Sequence, residues 1–256
     1  MELKLDGKTA LITGASRGIG EGTAKVLAMD GVKCVISARR LDLLTELSAN
    51  IEELGGVRPI TISKDLFKEN ATTELASEAL QALGKVDILV NSAGRSKDPA
   101  APKDLPLDYP SKYWDQEMHL NYGAIREISY AILPSMIDQG YGRIINITGK
   151  SEPEKPRTAN PAKAAVHAWS KGLSREVAKF GVTVNCIPPG KIVSEQILRN
   201  YSQEERATYE GYDIALGTFG DPSDIGNLIA FLASPLASQI TGSVIPVDGG
   251  FRKFTF

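Results

Sequence analysis

Three glycines are spaced for a chemistry that few other residues permit. Thr13, Gly14, Ala15, Ser16, Arg17, Gly18, Ile19 and Gly20 run between a short apolar stretch, Thr9–Thr13, and a segment of helical periodicity, Gly18–Met29. Gly14 allows a tight turn, Gly18 lets the backbone come close to a pyrophosphate, and Gly20 lets helix and strand pack closely. The start of the following helix offers N–H groups without intrahelical partners and the positive end of the helix dipole, a seat for phosphate oxygens. With a strand before it and a helix after it, such a turn points to a dinucleotide.

The tip of the next strand selects among dinucleotides. A site for NAD(H) usually carries Asp or Glu there to bind the ribose 2′-OH. Here the residues are Ser37, Ala38, Arg39 and Arg40, with no acid. Arg39 could pair with a 2′-phosphate and Arg17 could approach it from the glycine turn. NADP(H) is therefore favoured, with NAD(H) still possible. The bland alternative is that Arg39 and Arg40 are solvated loop charges.

These residues need a scaffold, and the chain alternates strand and helix patterns to supply one. Apolar strand-like runs are expected at 9–13, 33–37, 59–63, 86–90, 143–148, 182–187 and 243–247. Helical patterns fall at 18–29, 41–54, 71–83, 114–138, 162–180, 203–209 and 221–233. Strands apolar on consecutive positions are buried on both faces, as a parallel sheet covered by helices requires. The expected fold is a doubly wound, Rossmann-type α/β sheet of about seven strands with helices on both faces. No repeat or linker divides the sequence, so a single domain over residues 1–256 is expected. Two irregular stretches interrupt the alternation, a substrate loop at 95–113 and a lid at 190–220. Loops after strand C-termini are where open α/β sheets place ligands.

Composition excludes several classes. Lys and Arg total 29 against 31 Asp and Glu, a formal net charge of −2, so no electrostatic footprint for nucleic acid or an anionic membrane exists. No run of about 18 apolar residues is present and the N-terminus lacks a signal-peptide core, which makes the cytosol the default compartment. Cys34 and Cys186 sit in separate apolar runs and read as reduced core residues. With two histidines, at 119 and 167, no metal-ligand spacing occurs.

Taken in order, these residues resemble the short-chain dehydrogenase/reductase family over essentially the whole chain. Thr13–Gly20 is similar to its cofactor turn, and Asp65 with Leu66 to the residues that contact the adenine. Asn91, Ser92, Ala93 and Gly94 resemble the family's Asn-Asn-Ala-Gly element with the second Asn changed. The resemblance places the active-site Asn on Asn121 and the active-site Lys on Lys163. It also implicates Pro189, Gly190, Ile192 and Ser194 along the nicotinamide. It implies a small-molecule substrate and a dimer or tetramer built partly through helices 114–138 and 162–180.

The catalytic pattern departs from that family. Its members carry a proton-donating tyrosine four residues before the lysine, on the same helical face. Here that position is Ala159, and no tyrosine lies between Tyr141 and Tyr201. The usual serine after strand five is displaced too; Ser151 or Thr148 could hold a substrate oxygen, with Glu152, Glu154 and Lys155 nearby. General acid catalysis is worth roughly 10²–10⁴-fold, so the loss matters. Three alternatives follow. One is a carbonyl reductase with another acid, whether water relayed by Asn121 and Lys163 or a side chain such as Tyr122, Tyr201 or Glu152. Another is reduction of a conjugated C=C bond, since residues 161–166 are similar to the segment in dienoyl-CoA reductases, which also lack the tyrosine. The third is an NADP(H)-binding sensor without turnover.

Other residues carry weaker signals. His119 reads as an interhelical histidine, and His167 as part of a packed helix face. Tyr109, Tyr113 and Trp114 are equally pocket-lining or core, and Tyr201, Tyr209 and Tyr212 equally lid or solvated loop.

Overall fold

The computed structural model describes residues 2–95, 110–149, 157–194, 197–198 and 202–252. Strands β1 (Thr9–Thr13), β2 (Lys33–Ala38), β3 (Ile60–Ser63), β4 (Ile88–Asn91), β5 (Gly142–Ile147) and β6 (Val182–Ile187) form one parallel sheet in the order β3-β2-β1-β4-β5-β6. The chain reverses its direction of winding between β1 and β4, and the crevice beyond their C-termini is the ligand position of such sheets.

Residues alternate between two apolar layers, as a pleated strand dictates. Ala10 and Ile12 of β1, Ile88 and Val90 of β4, and Cys34 and Ile36 of β2 join one core. Helices α1 (Gly18–Met29) and α2 (Leu41–Glu53) cover it, through residues such as Leu27 and Leu44. Leu11, Leu89 and Val35 point the other way, into a core under α3 (Ala71–Leu83), α5 (Ala124–Asp138) and α6 (Ala159–Val177). Helix α4 (Ser111–Met118) leads into α5 through a π-helical turn, His119–Gly123. Burial pushes the thiols of Cys34 and Cys186 up, to about 12 and about 11, so both are inert core residues.

Two helices close the described chain, α7 (Gln203–Thr208) and α8 (Pro222–Ala233). Asp221 caps α8, accepting from the Ser223 N–H at 2.8 Å, with proline at the first helical position. The expected seventh strand at 243–247 is corrected: only isolated parallel bridges form, Cys186 to Val244 and Pro189 to Val247. Backbone bonds tie Ser243, Ile245 and Val247 to Cys186, Pro188 and Gly190, but Pro188 carries no N–H, which interrupts the ladder there. Helix α6 also begins three residues earlier than its periodicity suggests, at Ala159. Among the described residues, no helix is long and apolar enough to cross a membrane.

Candidate active site

Backbone contacts hold the glycine turn at the sheet's reversal point. The Thr13 hydroxyl accepts from the Ser92 and Ala93 N–H groups at 3.1 and 3.0 Å, joining the ends of β1 and β4. Gly14 has φ +67°, and a Cβ there would lie 2.7 Å from the Ala93 Cα. A Cβ on Gly20 would stand 2.5 Å from the Gly14 carbonyl oxygen. Gly18 differs: with φ +60°, its absent Cβ would meet, among the described residues, only the Ser194 Cβ, at 3.3 Å. Helix α1 starts at this glycine after an extended Arg17, and no side chain caps it. The first-turn amides and the dipole end thus face the crevice beside Gly18.

Residues at the tips of β2 and β3 lie along the same sheet edge. Arg39 and Arg40 are exposed, and the Arg39 carbonyl accepts from the Ser63 hydroxyl at 3.1 Å. The Asp65 carboxylate accepts from the Phe67 N–H at 3.2 Å, which fixes the loop after β3. Leu66 is buried, so any contact from it to a ligand falls to its backbone; its carbonyl accepts from His119 Nε2 at 2.9 Å. His119 also stacks on Phe67 with ring centroids 5.7 Å apart. That bond and that stacking tie His119 to the loop after β3.

At the ends of β4 and β5 a polar ladder is buried. Asn91 Nδ2 donates to Asn146 Oδ1 at 2.8 Å and to Ser129 Oγ at 3.2 Å, and Asn146 donates to Ser170 on α6 at 2.9 Å. Asn91 therefore supports the edge from beneath. Gly94 lies against Asn121, whose Oδ1 would be 2.8 Å from a Cβ there. Asn121 is buried in the π-turn, which packs against α6. Single π-turns inside helices recur at functional sites.

Lys163 lies in the second turn of α6 and donates from Nζ to the Thr148 carbonyl at 3.3 Å. Its stem crosses Gly149, where a Cβ would be 2.9 Å from the lysine Cδ. Burial lowers its pKa from the ordinary lysine value, and the negative charge of Glu117 opposes that shift. Ala159, four residues earlier on this helix, is buried and offers only a methyl group. Ser151, Glu152, Glu154, Lys155, Tyr109 and Tyr201 lie outside the described residues, as does most of the substrate loop.

Thr148 does not offer its hydroxyl as the sequence suggested. The residue is buried, and its Oγ1 is 2.7 Å from His167 Nε2, one turn beyond Lys163. Burial first, and the Arg252 charge second, lower the His167 pKa. Such a histidine binds fewer protons folded than unfolded. Its share of stability is intact above about pH 6.5 and falls as pH drops toward the lower folded value. Urea unfolding of the His167→Asn variant should show a smaller loss of stability between about pH 7.5 and about pH 5.5 than the parent.

The stretch after β6 completes the edge. Pro189 bridges to Val247, the Gly190 N–H donates to the Val247 carbonyl at 2.9 Å, and Ile192 is buried against Gly220. Ser194 stands beside Gly18, and its hydroxyl accepts from the Ile197 N–H at 3.3 Å. Beyond it, Lys191 sits over the Tyr209 ring at 4.2 Å, and Tyr209 meets Phe251 edge-on. Tyr122 instead packs edge-on against Trp169, with centroids 6.3 Å apart.

Two residues escaped the sequence reading. Glu117 is fully buried and its Oε2 accepts from Asn121 Nδ2 at 2.7 Å; Arg95 pairs with its Oε1 at 2.8 Å. The signal was present in the spacing, because Glu117 precedes Asn121 by one helical turn. Among the described residues, no group of three or more His, Cys, Asp or Glu side chains could hold a metal ion.

A parallel sheet with a glycine turn at its reversal point, and a lysine and a buried asparagine along the same edge, defines a dinucleotide-fold protein. The family model described as enoyl-(acyl carrier protein) reductase matches residues 14–252. The 3-oxoacyl-(acyl-carrier-protein) reductase FabG of Aquifex aeolicus is 32% identical over 260 residues, covering 98% of this chain and 99% of the relative. A structure of 7 alpha-hydroxysteroid dehydrogenase, complexed with NADH and 7-oxo glycochenodeoxycholic acid, superposes with a TM-score of 0.88 at 32% identity. That likeness covers 97% of this chain and 96% of the other. L-sorbose reductase from Gluconobacter frateurii, complexed with NADPH and L-sorbose, gives 0.90 at 27% identity, covering 99% of this chain and 100% of the other. The chain belongs to the short-chain dehydrogenase/reductase family, and the relatives just named are oxidoreductases.

Proposed function

We propose that residues 1–256 form a single domain acting as an NADP(H)-dependent oxidoreductase on a small carbonyl or hydroxyl compound. Its proton donor is a group other than a tyrosine on α6. The strongest support is the start of α1, without a side-chain cap, beside the open flank of Gly18. It shares one sheet edge with Asn121 and Lys163. Of the two solved relatives named above, one holds NADH and the other NADPH, so they do not choose between the coenzymes. The choice of NADP(H) rests on Arg39 and Arg17, both exposed near the tip of β2 where an acid would favour NAD(H).

In this reading Gly14, Ser16, Arg17, Gly18, Ile19 and Gly20 cradle the pyrophosphate. Asp65, Leu66, Asn91, Ala93 and Gly94 line the adenine and ribose side, and Pro189, Gly190, Ile192 and Ser194 the nicotinamide side. When bound, the coenzyme supplies or accepts a hydride. Lys163 holds the ribose hydroxyls and stabilises negative charge that builds on a substrate oxygen. Water ordered by Lys163 and Asn121 supplies the proton, and Ser151 holds the substrate oxygen. Tyr130, half exposed beside Trp169 on the α5–α6 face, is in place for self-association into a dimer or tetramer.

The test is NADPH consumption across a panel of ketones, ketoses, 3-oxoacyl thioesters and enoyl thioesters. Turnover of a carbonyl compound, reduced about a hundredfold or more in Lys163→Ala, is the expected result. Turnover confined to enoyl compounds would establish the second reading, C=C reduction. The methyl group of Ala159 and the description of the matching family model favour that alternative. NADPH bound with no turnover across the panel would make the protein a sensor.

A further inference from the structure

Glu117 is a carboxylate with a fully buried side chain, and the chemistry proposed above does not use it. Burying a charge is costly unless it is paired and hydrogen-bonded, and this one is held by Arg95 and Asn121. Arg95 Nε donates to Oε1 at 2.8 Å, and Asn121 Nδ2 donates to Oε2 at 2.7 Å. Asn121 Nδ2 also donates to the Glu117 carbonyl at 3.2 Å, and the Arg95 backbone N–H donates to Asn121 Oδ1 at 3.2 Å. The amide is thus held at both ends. Its orientation is determined, because a flipped amide would set an oxygen against the carboxylate and an NH₂ against an N–H. Both protons of Nδ2 are taken, so the Asn121 side chain has none to donate to a substrate.

We propose that Glu117, with Arg95 as its counter-charge, is the positioning residue of this site, clamping the Asn121 amide and the π-turn against α6. The inference rests on the active-site reading of Asn121 and Lys163, but not on any particular coenzyme or substrate. Helix α4 and the π-turn both pack on α6, so the carboxylate is also the anion nearest in effect to Lys163. His167, the next titratable side chain on that helix, is turned to Thr148.

Charge variants of the ligand-free protein test this by ¹⁵N NMR of the lysine Nζ groups, with the Lys163 signal assigned by its loss in Lys163→Arg. In Glu117→Gln the Lys163 titration midpoint should fall, because the anion that favours its charged form has gone, and the Asn121 side-chain NH₂ signal should lose its protection from exchange. In Arg95→Gln, which keeps the carboxylate, the midpoint should fall less while the Asn121 signal again loses protection. A merely structural role would not separate the two variants in this way. Unchanged midpoints and an unchanged Asn121 signal in folded variants would overturn the proposal. Should Glu117→Gln fail to fold, Arg95→Gln alone decides it. Failure to bind NADPH would sink the proposed function without touching this result.

Discussion

Replacing Gly18 by alanine is expected to weaken NADPH binding by about 10- to 100-fold, the loss of one charge-assisted hydrogen bond. The melting temperature should change by only a few degrees. Among the described residues the methyl group's near neighbour is the Ser194 Cβ at 3.3 Å, the end of a short side chain. The backbone cost of φ +60° for alanine is roughly 1–2 kcal/mol. That costs a domain of this size about 2–8 °C. The same methyl group stands where the diphosphate must approach. Gly20→Ala should show the reverse balance. Its Cβ meets the Gly14 oxygen at 2.5 Å and the Ala15 Cα at 2.8 Å, both backbone atoms that cannot swing aside. Overpacking of that kind costs about 1–3 kcal/mol and appears first in thermal unfolding. Fluorescence titration with NADPH beside thermal melts separates the two. Unchanged NADPH affinity in a folded Gly18→Ala variant would remove the phosphate role from this turn.

Arg39→Glu should weaken NADPH by about a hundredfold and leave NADH nearly unchanged. A guanidinium on a phosphate is worth about 1.5–3 kcal/mol, and a carboxylate in its place adds about 1 kcal/mol of repulsion in water. NADH has no 2′-phosphate to feel either effect. Arg39 is exposed, so the discrimination should shrink as salt rises from about 0.05 M to about 0.5 M. Arg17, exposed at the glycine turn, would retain part of it. If both coenzymes weakened equally, Arg39 would be shaping the loop rather than reading the phosphate.

Much of the scaffold was legible because strands buried on both faces leave short apolar runs, as in Ala10–Ile12 and Ile88–Val90. The last strand is reduced to bridges for a chemical reason lying elsewhere in the chain, in the missing N–H of Pro188. Periodicity likewise cannot see where a helix starts when its first turn holds alanines and a proline, as α6 does at Ala159.

Legibility of the site followed chemical type. Glycines announce themselves because their lack of Cβ is the function, whereas Glu117 looked like one more helix-surface acid. Its role depends on the tertiary meeting of Arg95, after β4, with α4. Thr148 was one of two residues, with Ser151, read as able to hold a substrate oxygen, and its hydroxyl lies against His167 on α6. A one-residue alternation at the strand end decides that direction, and spacing alone did not resolve it.

Isothermal titration of the purified chain with NADPH and then NADH tests the central claim most directly. One site per chain is expected, with NADPH bound more tightly and its advantage lost in Arg39→Glu. No heat from either coenzyme up to about 1 mM, the range of the weakest specific binding, would contradict the claim that backbone amides beside Gly18 receive a dinucleotide.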